Sequence, residues 1–223
     1  MIQAALEAST RAASVALAVD GVVESKRLDG AAAHASDLVP ALEELCLARS
    51  IDPADLELLA IGVGPGSFTG LRVAISTALG LSRATGAQLV GVSSHAAAAW
   101  RVLETEEPGS RITVLQDARG GCVQTSSWQR SEEALNCAVE HALVPCAEAA
   151  EQLASATRLL ADEAGLRAAR LAEDDPRVVA SPAPGAEAVL TLGARQLEIE
   201  GPTSAEALRP LYLRPFVPGV RPR

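Results

Sequence analysis

The sequence predicts an α/β chain of two lobes, the second abbreviated, and three observations carry that expectation. Residues 58–92 read as a short apolar strand, a glycine-rich turn, a helix and a second apolar strand, the pattern of a right-handed parallel crossover unit. Near the N-terminus, Asp20-Gly21 joins two alternating runs as a favoured two-residue hairpin turn. After the pattern-breaking stretch Glu104 to Ser110, with its Pro108-Gly109, a second strand-turn-strand repeats that hairpin at much the same register. The chain starts again there, so residues 1–103 and 104–223 are assigned to separate lobes.

Taken in order, Ile2 to Leu6, Ser14 to Val19 and Val22 to Arg27 form a three-strand meander. A helix is expected from His34 to Arg49, started by Ser36 or Asp37 and carrying Leu38, Leu42, Leu45 and Ala48 on one stripe. Asp52-Pro53 opens a short helical turn. Leu58 to Val63 is the central strand, and Gly64, Pro65 and Gly66 end it because proline lacks a donor and glycine opens conformations closed to other residues. Ser67 or Thr69 caps a helix with Leu71, Ile75, Ala78, Leu79 and Ser82 at helical spacing, and Gly86 ends it before the strand Gln88 to Val92. Ser93 or Ser94 caps the next helix, through Leu103. In the second lobe, strands are expected at 112–115, 122–128, 142–144 and 158–161, with helices at 147–154 and 184–197. Abundant alanine there predicts small interfaces, and Phe216 to Arg223 reads as a flexible tail.

Composition excludes several classes. The 223 residues are 48% hydrophobic, ample for a core, yet no apolar run reaches the eighteen or so residues of a membrane span. Met1-Ile2-Gln3 does not begin a signal peptide, so a soluble cytoplasmic protein is expected. The net charge of −9 repels polyphosphate, and Phe68, Trp100, Trp128, Tyr212 and Phe216 are too scattered for a base-stacking platform. Direct tRNA binding is therefore disfavoured. Cys46, Cys122, Cys137 and Cys146 contain no paired spacing, and Cys137, His141 and Cys146 fall one ligand short of a closed zinc site. No metal is assigned.

The glycine turn invites a phosphate-binding reading. The Walker lysine is missing, since Leu71 and Arg72 follow Gly70. Dinucleotide spacing fails at Ser67, and the hydrolase elbow fails at Thr69. The turn Glu7-Ala8-Ser9-Thr10-Arg11 has hydroxyls that either close the backbone or meet a phosphate.

The whole string Gly64-Pro65-Gly66-Ser67-Phe68-Thr69-Gly70-Leu71-Arg72, continued by VAISTALGL, resembles the signature of the TsaB (YeaZ) family, which serves threonylcarbamoyladenosine synthesis on tRNA. Asp117-Ala118-Arg119 and the closing Pro210-Leu211-Tyr212-Leu213-Arg214-Pro215 resemble further motifs of that family, so the likeness spans nearly the whole chain. It implies two actin-like lobes of the ATPase superfamily formerly grouped with M22 glycoproteases. It also implies that the turns at Glu7, Ser9, Thr10 and at Asp117, Arg119 correspond to that superfamily's two phosphate loops. The second turn reads equally well as a backbone-closed turn with Asp117 as acceptor and Arg119 as its ion partner. Relatives carry aspartate where Glu7 stands, and the added methylene argues against retained ATP hydrolysis. His34 resembles half of the metal-binding His-x-x-x-His of the partner TsaD, but position 38 is leucine.

The resemblance implies a non-catalytic scaffold that pairs with TsaD, reaches TsaE and tRNA only through the complex, and self-associates as a homodimer when TsaD is absent. The reaction is threonylcarbamoyl transfer to adenosine 37 of tRNAs reading codons that begin with A. No cofactor is expected, apart from weak nucleotide binding at a lobe interface within the complex. The helices at 36–49 and 69–84 are expected to dock through Leu42, Leu45, Val73, Ala74, Ala78, Gly80 and Leu81. Relatives often have glycine at Ala74 and lysine at Leu79, so this interface departs from the family's. Two rival classes are a free-standing ATPase or kinase of the same fold, which Glu7 argues against, and a protease, for which no nucleophile and base pair is visible.

Overall fold

The computed structural model describes residues 1–28, 37–132, 134–179 and 184–213. His34, Ser36, Arg214, Pro215 and the expected flexible tail lie outside the described residues. The first sheet holds β1 (Ile2–Glu7), β2 (Ala13–Val19), β3 (Val22–Leu28), β4 (Leu58–Gly64) and β5 (Gln88–Ser93) in the order β3-β2-β1-β4-β5. Its first three strands are antiparallel, and β4 and β5 are added parallel to β1. Asp20 and Gly21 both take positive φ, as the hairpin turn requires.

The second sheet repeats this plan with β6 (Arg111–Asp117), β7 (Cys122–Arg130), β8 (Leu135–Pro145), β9 (Leu159–Ala161) and β10 (Val178–Val179) in the order β10-β9-β6-β7-β8. A meander is again followed by two parallel strands. The strand expected at 142–144 is much longer, because β8 pairs along almost the whole of β7.

Helices α1 (Leu38–Ala48) and α2 (Phe68–Thr85) cover the outer face of the first sheet, closing a core around Leu6, Leu17, Leu59, Ile61 and Ile75. Ser67 caps α2 by accepting from Gly70 N, and Gly86 ends it in the left-handed conformation. Between the sheets lie α3 (Ser94–Leu103) and α6 (Ala186–Glu200), while α4 (Cys146–Gln152) and α5 (Glu163–Ala168) cover the far face of the second sheet. Helix α3 is apolar almost all round, as befits a helix buried on two sides. Its Ala97 and Trp100 face the first sheet, and Ala99 and Leu103 face the second.

Helix α6 comes from the second half of the sequence yet packs on β1, β2, β4 and β5. Ala5, Ala16, Ala18 and Ala60 give it a shallow bed, and a Cβ on Gly193 would come within 2.5 Å of Ala60 Cβ. The small residues here permit close approach of helix and sheet, which lengthens the set of dispersion contacts. After α6, residues 201–213 run back along the first sheet: Thr203 N donates to Leu89 O and Leu211 N to Val63 O, both at 2.7 Å.

Candidate functional site

The glycine turn and the turn after β1 are packed on each other. Glu7 is fully buried, and its Oε1 accepts from Ser9 N at 2.5 Å while its Oε2 accepts from Ser94 Oγ at 2.8 Å. Ser94 Oγ in turn accepts from Gly64 N at 3.1 Å. A Cβ at Gly62 would overlap Glu7 Oε2, so β4 is bare of side chain where the carboxyl arrives. Burial pushes the Glu7 carboxyl above its ordinary range, against the opposing pull of its hydrogen bonds with Ala8, Ser9 and Ser94.

Four backbone donors of the two turns are engaged within the chain, while the buried Ser9 Oγ has no hydrogen-bond partner among the described residues. Ser67 N donates to Ser9 O at 2.7 Å, Gly70 N to Ser67 Oγ at 3.2 Å, Leu71 N to Ser67 O at 3.0 Å and Ala12 N to Thr10 Oγ1 at 3.2 Å. Cβ atoms at Gly66 and Gly70 would overlap the backbone oxygens of Ser9 and Ala8. The glycines at 66 and 70 thus serve close backbone approach. The peptide Gly64-Pro65 is cis.

In the second turn, Asp117 Oδ1 accepts from Arg119 N at 2.7 Å. The carboxylate closes its own turn through the backbone, one of the two readings left open by the sequence. Cys137 Sγ contacts Val139 O, His141 Nε2 lies 3.0 Å from Ser93 Oγ, and Cys146 opens α4, so the three are held in separate settings. Among the described residues no group of three or more His, Cys, Asp or Glu is placed to hold a metal ion, and no helix is long and apolar enough to cross a membrane.

Two features escaped the sequence. Phe68 and Tyr212 stack at 5.1 Å between centroids, with the Arg72 guanidinium 3.7 Å over the Phe68 ring and its Nε donating to Tyr212 Oη at 2.9 Å. The two family motifs, 140 residues apart, therefore meet at the exposed start of α2. At the junction of the lobes, buried His95 on α3 pairs with Ser126 Oγ at 2.9 Å and stacks on His141 of β8. Burial first, and then the neighbouring His141, lower His95 to about 3. Only the fold brings these residues together, and nothing in local spacing marks them.

The expected docking set needs correction. Ala74 and Ala78 are 0% exposed and Leu42 is 3% exposed, all three inside the core under α1 and α2. The reason is helical phase: Leu71, Ala74, Ile75 and Ala78 form the single stripe that faces the sheet. Leu45, Val73 and Leu81 are half-buried, and Gly80 is exposed.

A family model described as "TsaD: tRNA N6-adenosine threonylcarbamoyltransferase" matches residues 22–194. The chain is 33% identical over 134 residues to the Escherichia coli tRNA threonylcarbamoyladenosine biosynthesis protein TsaB, an alignment covering 59% of this chain and 56% of that protein. Its Haemophilus influenzae counterpart is 32% identical over 52% of this chain and 48% of its own length. The chain thus spans about half the length of the curated relatives it matches. Among solved structures, YeaZ from Pseudomonas aeruginosa superposes with a TM-score of 0.80 at 27% identity, over 95% of this chain and 99% of that one. A second Pseudomonas aeruginosa structure, described as similar to peptidase YeaZ, gives 0.81 at 28% identity, over 96% and 99%.

Proposed function

We infer, from the premise that this chain belongs to the family described as TsaD: tRNA N6-adenosine threonylcarbamoyltransferase, that it serves tRNA threonylcarbamoyladenosine biosynthesis as a binding partner and not as the catalyst. Its TsaB relatives, named for tRNA threonylcarbamoyladenosine biosynthesis, support the pathway. The observation that carries the non-catalytic role is Glu7: fully buried and hydrogen-bonded at both oxygens, it is not presented to a metal ion or a substrate.

In this reading the chain pairs with TsaD and assists transfer to adenosine 37 of tRNAs reading codons that begin with A, meeting TsaE and tRNA through the complex. Its net charge of −9 suits a subunit that leaves RNA contact to its partner. Helices α1 and α2 offer the half-buried Leu45, Val73 and Leu81 and the exposed Gly80 for docking, and α1 also carries Leu47, 76% exposed. Partly exposed apolar side chains near a small residue suit helix-on-helix contact. The same surface closes on a second copy when TsaD is absent.

The test is coexpression with the cognate TsaD and quantification of modified tRNA with and without this chain. Gly80→Arg is the companion variant, since a Cβ there meets open space and the fold is spared. Loss of both TsaD copurification and tRNA modification is expected. Normal modification without the chain would refute the role, whereas retained binding of Gly80→Arg would refute only the surface. Nucleotide turnover by the purified chain alone would favour the ATPase alternative.

A further inference from the structure

On the far side of the second sheet, where cover by α4 and α5 runs out, lies a cavity of about 300 Å³. The pairing register lays Leu159, Thr113, Ser127 and Val139 across four strands in one row, with Leu115, Thr125 and Ala142 in the next. The helices pack on Leu115, Val123 and Val144 of this face, and the hydroxyl-bearing positions beyond them floor the cavity.

We propose that this cavity is a binding site for a small organic anion, an oxyanion group carried on an apolar body. Thr113 Oγ1 and Ser127 Oγ are 2.7 Å apart, and both residues are only 8% exposed. Two hydroxyls bring two protons and their mutual bond uses one, so one donor is left for a ligand. Arg111 and Arg158 stand at the rim, and the lining includes no carboxylate, in a chain whose net charge is −9. Arg158 Nη2 is held by Glu106 Oε1 at 3.0 Å and Arg111 Nη2 by Gln129 Oε1 at 3.3 Å. These bonds position the guanidinium groups, each of which has five N–H donors. The C-terminal end of α4 does not oppose an anion unscreened, since Arg177 Nη1 donates to Leu153 O at 2.8 Å. Val139, Val144 and Leu153 add apolar lining. Charge-assisted donors together with aliphatic lining select an anion with a hydrocarbon body over a bare ion.

The test is titration of the full chain with inorganic phosphate, phenyl phosphate and benzoate, followed by amide chemical shifts. Saturable shifts confined to residues 111–113, 125–127 and 153–158 are expected, with an organic anion bound more tightly than inorganic phosphate. The better of phenyl phosphate and benzoate identifies the head group. Ser127→Ala and Arg111→Gln, the second at an exposed position that spares the fold, should each weaken binding about tenfold. Three results would overturn the site: no saturation with any probe at about 10 mM, affinity unchanged in both variants, or equal affinity for inorganic phosphate and both organic probes.

Discussion

Ser94 Oγ donates to Glu7 Oε2 at 2.8 Å, a buried bond that ties the end of β1 to the first residue of α3. Through Gly64 N the same hydroxyl also holds the glycine turn. Three segments far apart in sequence are thereby fixed by one carboxyl, which makes Glu7 a structural centre at the place where the superfamily's resemblance suggests a phosphate loop.

Its protonation should register in stability. The unfolded carboxyl titrates near 4.5 and the folded one higher, so as pH rises through that window the unfolded state loses its proton first and stability falls. Glu7→Gln keeps the shape without the titration. In urea unfolding at several pH values between about 4.5 and 8, the parent's stability relative to this variant should fall as pH rises; a difference that stays constant with pH would contradict the burial argument.

His95 acts with the opposite sign. Its folded value of about 3 lies below the unfolded 6.5, so its contribution is present above 6.5 and is lost as pH falls towards 3. Between pH 6.5 and 4.5 that loss is about 2 kcal/mol. His95→Gln should remove most of it, measured as the difference between urea unfolding free energies at the two pH values.

Gly70 and Gly80 lie on the same helix but should respond differently to alanine. A Cβ at Gly70 would overlap Ala8 O, which is backbone, whereas at Gly80 it meets nothing within 4 Å. Thermal and urea unfolding should show Gly70→Ala destabilised by about 1–3 kcal/mol and Gly80→Ala stabilised by up to about 1 kcal/mol. Equal responses would sink the close-approach account of the motif.

Arg72 joins α2 to the closing segment through Phe68 and Tyr212. Arg72→Ala should loosen residues 211–213 without unfolding the core, so the Leu211 amide, bonded to Val63 O, should exchange about two- to fivefold faster. The amides of β1 should be unaffected. Uniform acceleration across the first sheet would show that the cluster supports the whole lobe.

Much of the architecture was legible in the sequence because it rests on local rules. Alternation and the Asp20-Gly21 turn set the first meander, Ser67 and Gly86 bound α2, and the glycine turn between two apolar runs marked the parallel crossover. The short α5 and β10 left no such mark, for six and two residues carry too little periodicity to separate from a loop.

What the sequence alone determined was the order and type of the main elements, together with the motifs that led to a family. Tertiary structure alone decided which side of each element looks inward: it took Ala74 and Ala78 into the core, brought α6 back onto the first sheet and turned Glu7 away from solvent. The physical reason is that spacing along a chain encodes a repeat, whereas burial depends on which neighbour arrives to cover it, and that neighbour is often more than a hundred residues away.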